Sequence, residues 1–142
     1  MSINSYIAKQ YPSFSGLINQ KLVASVLATA GNLTYTTAQV LGGLILRDTA
    51  GAARTDTLPT AAAIVPLIPG AEVGSSIRFL IRNTADAAET LTIAAGTGGT
   101  GSGTLTIAQN NQKEFLLVVS AVGDADGNGA TYDLYSMGTV VF

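Results

Sequence analysis

Short segments in which apolar and polar side chains alternate recur from Leu33 to the end of the chain. In the clearest one, Ile77, Phe79 and Ile81 alternate with Arg78 and Arg82. A period of two places alternate side chains on opposite faces of a β-strand, and Gly, Asn and Asp at the segment ends mark turns. The same signature predicts strands at 33–37, 44–46, 91–93, 105–107, 115–119, 132–135 and 139–142.

About eight short strands predict an all-β fold, an antiparallel β-sandwich in which a jelly roll is the preferred topology. Residues 115–119 are apolar on both faces and are expected to form a central strand. An immunoglobulin-like sandwich is the alternative, although its Cys-Trp-Cys marker is absent.

One short helix is predicted near residues 57–66. Asp56 offers a cap for its first turn, and Pro59 is tolerated there because the first helical positions need no N–H donor. Pro66 cannot lie deep inside a helix, so one or two turns are expected, ending before Pro69.

The first 30 residues have a different pattern and are predicted to form an extended N-terminal arm, with residues 31–142 as the single sandwich domain. Tyr6, Tyr11 and Phe14 lie among polar residues, and no regular element is evident around them. Paired apolar residues over 17–28 favour a short helix there slightly over a strand. The three aromatic side chains need an apolar surface, either on this domain or on a neighbouring molecule.

Charged residues make up only 11% of the 142 residues, and the net charge is −2. A soluble domain carries about 25% charged residues, so this composition favours a surface covered by copies of the chain or by another protein. The alternative is a Thr-rich secreted β-protein. Seven basic side chains against nine acidic ones give no electrostatic attraction for nucleic acid.

The chain contains no His and no Cys, which removes the commonest general base and the usual thiol chemistry. We therefore expect no enzymatic activity. The longest uncharged stretch, 22–46, is interrupted by polar residues, and the first residues lack the pattern of a secretory signal, so no membrane association is expected.

Two loops match binding motifs in part. Residues 96–101 match the glycine pattern of a dinucleotide site, but a strand rather than the required helix is predicted after them, which favours a hairpin loop. Residues 124–129 match the first half of a calcium loop, but Tyr135 stands where the bidentate Glu is needed, which favours a turn. We expect no cofactor and no bound metal.

A few charged residues remain as candidates. Asp48, Asp56, Asp86 and Asp133 could meet in space as paired carboxylates, although their spacing does not favour it. Arg47, Arg54 and Asp56 form either a local loop that caps the short helix, with a guanidinium clamped by Asp56, or a contact with a partner.

Residues 42–48, 51–61 and 82–90, together with the glycine loop after Ile93, resemble the small structural proteins of tailed bacteriophages, in particular capsid cement (decoration) proteins of jelly-roll type. The segment from Tyr11 to Ile18 is similar to the Pro-x-Phe-x-Gly start of some cement proteins. The resemblance covers roughly residues 11–138 and includes no catalytic motif.

The resemblance implies a virion protein, made in the bacterial host cytoplasm, that binds the outer surface of the capsid and joins neighbouring major capsid protein subunits. It also implies a small homo-oligomer, a trimer or a dimer, with Tyr6, Tyr11 and Phe14 of the arm among the candidate partner contacts. A tail or fibre subunit is the alternative.

Overall fold

Strands dominate the computed structural model, which describes residues 21–142. This confirms the predicted all-β class. In chain order the elements are β1 (Val23–Leu27), α1 (Thr37–Leu41), β2 (Gly43–Arg47), β3 (Arg54–Thr57), α2 (Ala61–Ile64), a 3-10 helix (Val65–Leu67), β4 (Ser76–Asn83), β5 (Leu91–Ala94), β6 (Gly99–Ser102), β7 (Thr106–Ile107), β8 (Asn111–Ala121) and β9 (Thr131–Val141).

Two sheets form the domain, one of six strands in the order β1-β2-β4-β8-β9-β6 and one of three in the order β3-β5-β7. The expectation of antiparallel strands alone is wrong. The β1–β2, β2–β4, β3–β5 and β6–β9 pairings are parallel, and the β4–β8, β5–β7 and β8–β9 pairings are antiparallel. After β2 the chain passes through β3 in the smaller sheet and returns to lie beside β2, which makes β2 and β4 parallel.

The core lies between the inner faces of the two sheets. Phe79 and Phe115, on adjacent strands, stack with their ring centroids 5.5 Å apart. The predicted strand 77–82 is confirmed, with Phe79 and Ile81 buried and Arg78 exposed. The predicted strand 115–119 is central as expected, between β4 and β9, although its burial alternates. Buried side chains of the smaller sheet complete this core: Leu91, Ile93 and Ile107.

The predicted helix near 57–66 is found at residues 61–64, followed by the 3-10 helix, which carries Pro66 near its start. Its N-cap is Thr60, whose hydroxyl accepts a hydrogen bond from the Ala63 N–H at 3.2 Å. Asp56 therefore does not cap it and lies within β3 instead. Both helical segments end before Pro69, as expected.

The N-terminal boundary differs from the prediction. Residues 23–27, assigned to the arm and to a possible helix, form edge strand β1, with Val23 beside Gly43 and Leu27 beside Arg47. The sandwich therefore begins before residue 31. Tyr6, Tyr11 and Phe14, with the rest of residues 1–20, lie outside the described residues.

The segment 33–37 was expected to be a strand but makes only an isolated bridge, between Thr34 and Thr57. Helix α1 follows instead. Its first turn is fixed by a capping box, in which the Thr36 hydroxyl accepts from the Gln39 N–H and the Gln39 side chain accepts from the Thr36 N–H.

The glycine-rich loop joins a hairpin, as predicted, since Leu91 on β5 pairs with Ile107 on β7. However, it also contributes strand β6 to the larger sheet, parallel to β9. No helix follows the glycines, so the dinucleotide motif lacks its required context. Glycine is needed at position 99 because a Cβ there would lie 2.4 Å from the Tyr132 ring.

The predicted strands 132–135 and 139–142 belong to one long strand, β9.

Candidate interaction surface

A buried ion pair links the two sheets. The Nε of Arg47, at the end of β2, donates to Oδ2 of Asp56 on β3 at 2.7 Å, and both side chains are fully buried. The Tyr35 hydroxyl donates to the same carboxylate at 2.8 Å, and the Leu33 N–H donates to its other oxygen at 2.8 Å. Buried charges need this full set of partners, because an unpaired one would be strongly destabilising.

The remaining donors of Arg47 hold the segment that precedes Leu33. Nη1 donates to the carbonyl of Thr29 at 2.8 Å and to that of Asp48, and Nη2 donates to the carbonyl of Gly31 at 2.7 Å. The guanidinium therefore fastens the connection between β1 and α1 onto the sandwich.

The predicted partner contact through Arg47 and Asp56 is wrong for these two residues, because neither side chain reaches the surface of the chain. The alternative, a guanidinium clamped by Asp56, is what the structure contains, although without the predicted capping of the helix. Arg54 is half-buried, and its Nε donates to the Thr49 carbonyl at 3.2 Å. Of the three residues, Arg54 alone keeps accessible side-chain surface.

Burial, together with the negative charge of Asp56, raises the pKa of the Tyr35 hydroxyl well above its ordinary value. In the unfolded chain a tyrosine loses its proton near pH 10, whereas the buried one keeps it. Unfolding above that pH therefore releases a proton, and the free energy of unfolding falls as the pH rises.

We expect stability to fall above about pH 10, by up to about 1.4 kcal/mol per pH unit for each proton released. Burial also raises the pKa of Tyr132, which adds to this fall in stability. Burial lowers the pKa of Lys113, which instead makes the free energy of unfolding rise with pH. Tyr35→Phe isolates the contribution of Tyr35 and should flatten the decline. Urea unfolding at pH 8 to 12 measures the free energy of unfolding at each pH. An equal decline with pH in wild type and Tyr35→Phe would contradict the expectation.

Three carboxylates meet near the end of β2. Asp48, Asp86 and Glu89 bring ligand oxygens within 4.8 Å of one another, and the Thr49 hydroxyl donates to Glu89. Of the four aspartates that the sequence left as candidates, the structure brings Asp48 and Asp86 together. It does not bring Asp56, which is in the ion pair, or Asp133, which lies on β9. No sequence pattern pointed to Glu89, whose burial depends on the fold of the 84–90 loop.

The loop that resembles half a calcium site is organised by its own hydrogen bonds. Oδ1 of Asp124 accepts from the Asp126 and Asn128 N–H groups, each at 2.9 Å, and Oδ2 accepts from the Asn128 side chain at 3.0 Å. The bond from Asn128 is the main reason that the pKa of Asp124 is lowered. Because both carboxylate oxygens serve the loop, the geometry favours the turn.

The outer face of the six-stranded sheet, the face turned away from the smaller sheet, carries exposed apolar side chains. One cross-strand row on it runs Val26, Leu46, Arg82, Gln112, Val140. The next row runs Ala24, Leu44, Leu80, Glu114, Gly138. Val26 is 73% exposed and Val140 is 58% exposed, whereas the inner-face residues at the centre of the sheet are buried, among them Ile45, Phe79, Ile81 and Phe115.

Two shallow depressions lie side by side on the outer face and share Leu80 and Glu114. One, of about 210 Å³, extends to Leu22, and the other, of about 200 Å³, extends to Met137 and Val140. An exposed ion pair lies between them, in which Nη1 of Arg78 and Oε1 of Glu114 are 2.7 Å apart. The outer face thus carries exposed apolar side chains towards both edges and the Arg78–Glu114 ion pair near its middle, and Arg82 and Asp133 are further charged residues on it.

A broad apolar area on a sheet marks a site for another protein, since monomeric proteins rarely leave one uncovered. Within residues 21–142, no helix has the length and apolar character needed to cross a bilayer. Comparisons with family models, curated proteins and solved structures found no match to this chain.

Proposed function

We propose that the protein is a structural protein of a tailed bacteriophage, that it binds the outside of the capsid, and that it cements neighbouring major capsid protein subunits. The observation that carries the proposal is the apolar outer face of the six-stranded sheet. Monomeric proteins rarely leave a broad apolar area uncovered, and a capsid offers a wide, repetitive surface to cover this one.

Cementing of this kind is a consequence of mass action. A protein that binds the assembled shell and not the free subunits stabilises the shell by its binding free energy. A second attachment through residues 1–20, whose aromatic side chains include Tyr6, Tyr11 and Phe14, would raise the effective concentration at the next subunit. The jelly-roll topology belongs to this proposal and stays a prediction.

A tail or fibre subunit is the second candidate, and one observation favours it. The larger sheet has β1 at one edge, and the second half of β9 extends past β6 at the other, so two different edges could join copies in an open series. Large homopolymers of the purified protein, formed without capsids, would favour this function over capsid binding.

Replacing Val26 by Glu tests the docking role of the outer face. Val26 is 73% exposed on that face, so Val26→Glu should fold and yet weaken co-sedimentation with capsids lacking the protein by at least tenfold. Val73→Glu is the matched control, because Val73 is 69% exposed in the loop before β4 and lies off the sheet. Equal binding by both variants would contradict a role for the outer face.

A deletion tests the second attachment. Removing residues 2–14 should abolish capsid binding while thermal unfolding of the sandwich stays cooperative. Unchanged binding would refute the role of this segment, and cryo-electron microscopy of particles containing the chain would place the protein on the head or on the tail.

A further inference from the structure

Among residues 21–142, the second half of β9 forms an open sheet edge. β6 pairs with β9 only from Gly99 beside Tyr132 to Ser102 beside Tyr135. Gly103, at φ +88°, then turns the chain towards β7. Residues 136–141 of β9 consequently pair with β8 on one side, and no other strand of the described residues pairs with them.

The direction of the free backbone groups follows from the ladder. The Phe142 N–H donates to the Asn110 carbonyl at 2.9 Å, so this pair is a hydrogen-bonded one. In an antiparallel ladder the direction of the backbone N–H and C=O groups alternates from one residue to the next. Those of Gly138 and Val140 therefore point towards β8, whereas those of Thr139 and Val141 point to the open side. The guanidinium of Arg82, 3.2 Å from the centroid of the Phe142 ring, helps to hold the end of this strand in place.

This edge lacks the usual protection against strand pairing. Natural edge strands carry Lys, other charges or Pro, and residues 136–141 contain none of these. The bulge between Glu114 and Phe115 leaves Met137 without a partner on β8 but precedes the regular part of the edge. Val141 is 73% exposed and Met137 is 46% exposed. The edge therefore offers both free backbone groups and apolar side chains to a partner.

We propose that the partner is β9 of a second copy, paired antiparallel about a two-fold axis at Thr139. Each Thr139 then lies opposite its counterpart, and Met137 of one copy lies opposite Val141 of the other. Near a two-fold axis a charged side chain would meet its own copy, and the stretch contains no charge. The proposal goes beyond capsid binding and does not depend on it.

The available area reaches the lower limit for a specific interface. Complete burial of the exposed parts of Tyr135, Met137, Val140, Val141 and Phe142 in both copies gives a two-fold contact of roughly 1,000 Å² in total. β1 is a less suitable partner for β9. A contact between β1 of one copy and β9 of the next joins two different edges, so a row of copies keeps an unpaired β1 at one end and an unpaired β9 at the other. The two-fold arrangement closes and stops at two.

The test uses the full chain in the absence of capsids. Wild type at 1 to 100 μM should sediment as a dimer, and Thr139→Glu and Thr139→Lys should each raise the dissociation constant at least tenfold by placing like charges opposite each other. An equimolar mixture of the two variants should restore a dimer containing one of each, a result that loss of folding cannot produce. Thr55→Glu, at an exposed threonine on β3, is the matched control and should stay dimeric.

Three results would overturn the proposal. The first is a monomeric wild type at 100 μM. The second is a dimer that Thr139→Glu leaves unchanged. The third is a set of larger assemblies that grow with concentration, which would indicate pairing between different edges. Capsid binding is measured separately, so either of the first two results leaves the proposed function intact, whereas the third would favour the tail or fibre subunit.

Discussion

Replacing Asp56 with Asn is expected to lower the free energy of unfolding by about 3–5 kcal/mol. The change keeps the shape of the side chain and one accepting oxygen, which can serve either Tyr35 or the Leu33 N–H, since these two donate to different oxygens of Asp56. It removes the charge that balances the guanidinium of Arg47, which is wholly buried between the sheets. A buried cation without its counter-ion is among the most destabilising defects in a folded domain. Urea unfolding at pH 7 measures the loss.

Two further variants separate charge from contact. Glu114→Gln breaks an ion pair with the same 2.7 Å separation on the exposed outer face, and should cost less than about 1 kcal/mol because water screens it. Arg47→Met combined with Asp56→Asn removes both buried charges and should be more stable than Asp56→Asn alone. A cost for Asp56→Asn as small as that for Glu114→Gln would show that the buried charges are not the cause.

Many strands were predictable from the local sequence pattern, because a strand with one buried face has an apolar side chain at every second residue. The segment from Ile77 to Arg82 shows this, since its alternation matches its observed burial. Strand direction leaves no such mark, which is why the parallel pairings were missed. β1 was missed because its apolar residues come in pairs, and α1 was missed although Thr36 and Gln39 carry the spacing of a capping box.

The candidate surface was less predictable than the fold. The sequence leaves Arg47 and Asp56 open either as a clamped pair or as a contact with a partner. Only the fold distinguishes the two, because a pair of opposite charges can serve inside the domain or at an interface. The outer face is assembled from single residues on β1, β2, β4, β8 and β9, whose strand order no local pattern specifies. The open edge of β9 depends on where β6 ends, which is a tertiary property.

Gly127→Ala is expected to be the second most damaging change, at about 2–4 kcal/mol. Gly127 is buried in the β8–β9 loop at φ +81°, and a Cβ there would lie 2.4 Å from the carbonyl oxygen of Ala62 on α2. The variant must therefore adopt a strained left-handed backbone and also push the loop away from the helix. Both effects act on the folded state, so urea unfolding should show a lower midpoint with an unchanged slope.

Gly129→Ala is the control that divides these two effects. Gly129 lies in the same loop at φ +78°, and nothing is within 4 Å of the position that its Cβ would occupy. This variant carries the backbone strain alone and should cost about 1–2 kcal/mol. The difference between the two variants measures the steric contact of the loop with α2. If Gly127→Ala and Gly129→Ala lose the same stability, the loop can move to accept a methyl group at position 127. Its close packing on α2 is then not what holds the β8–β9 connection in place.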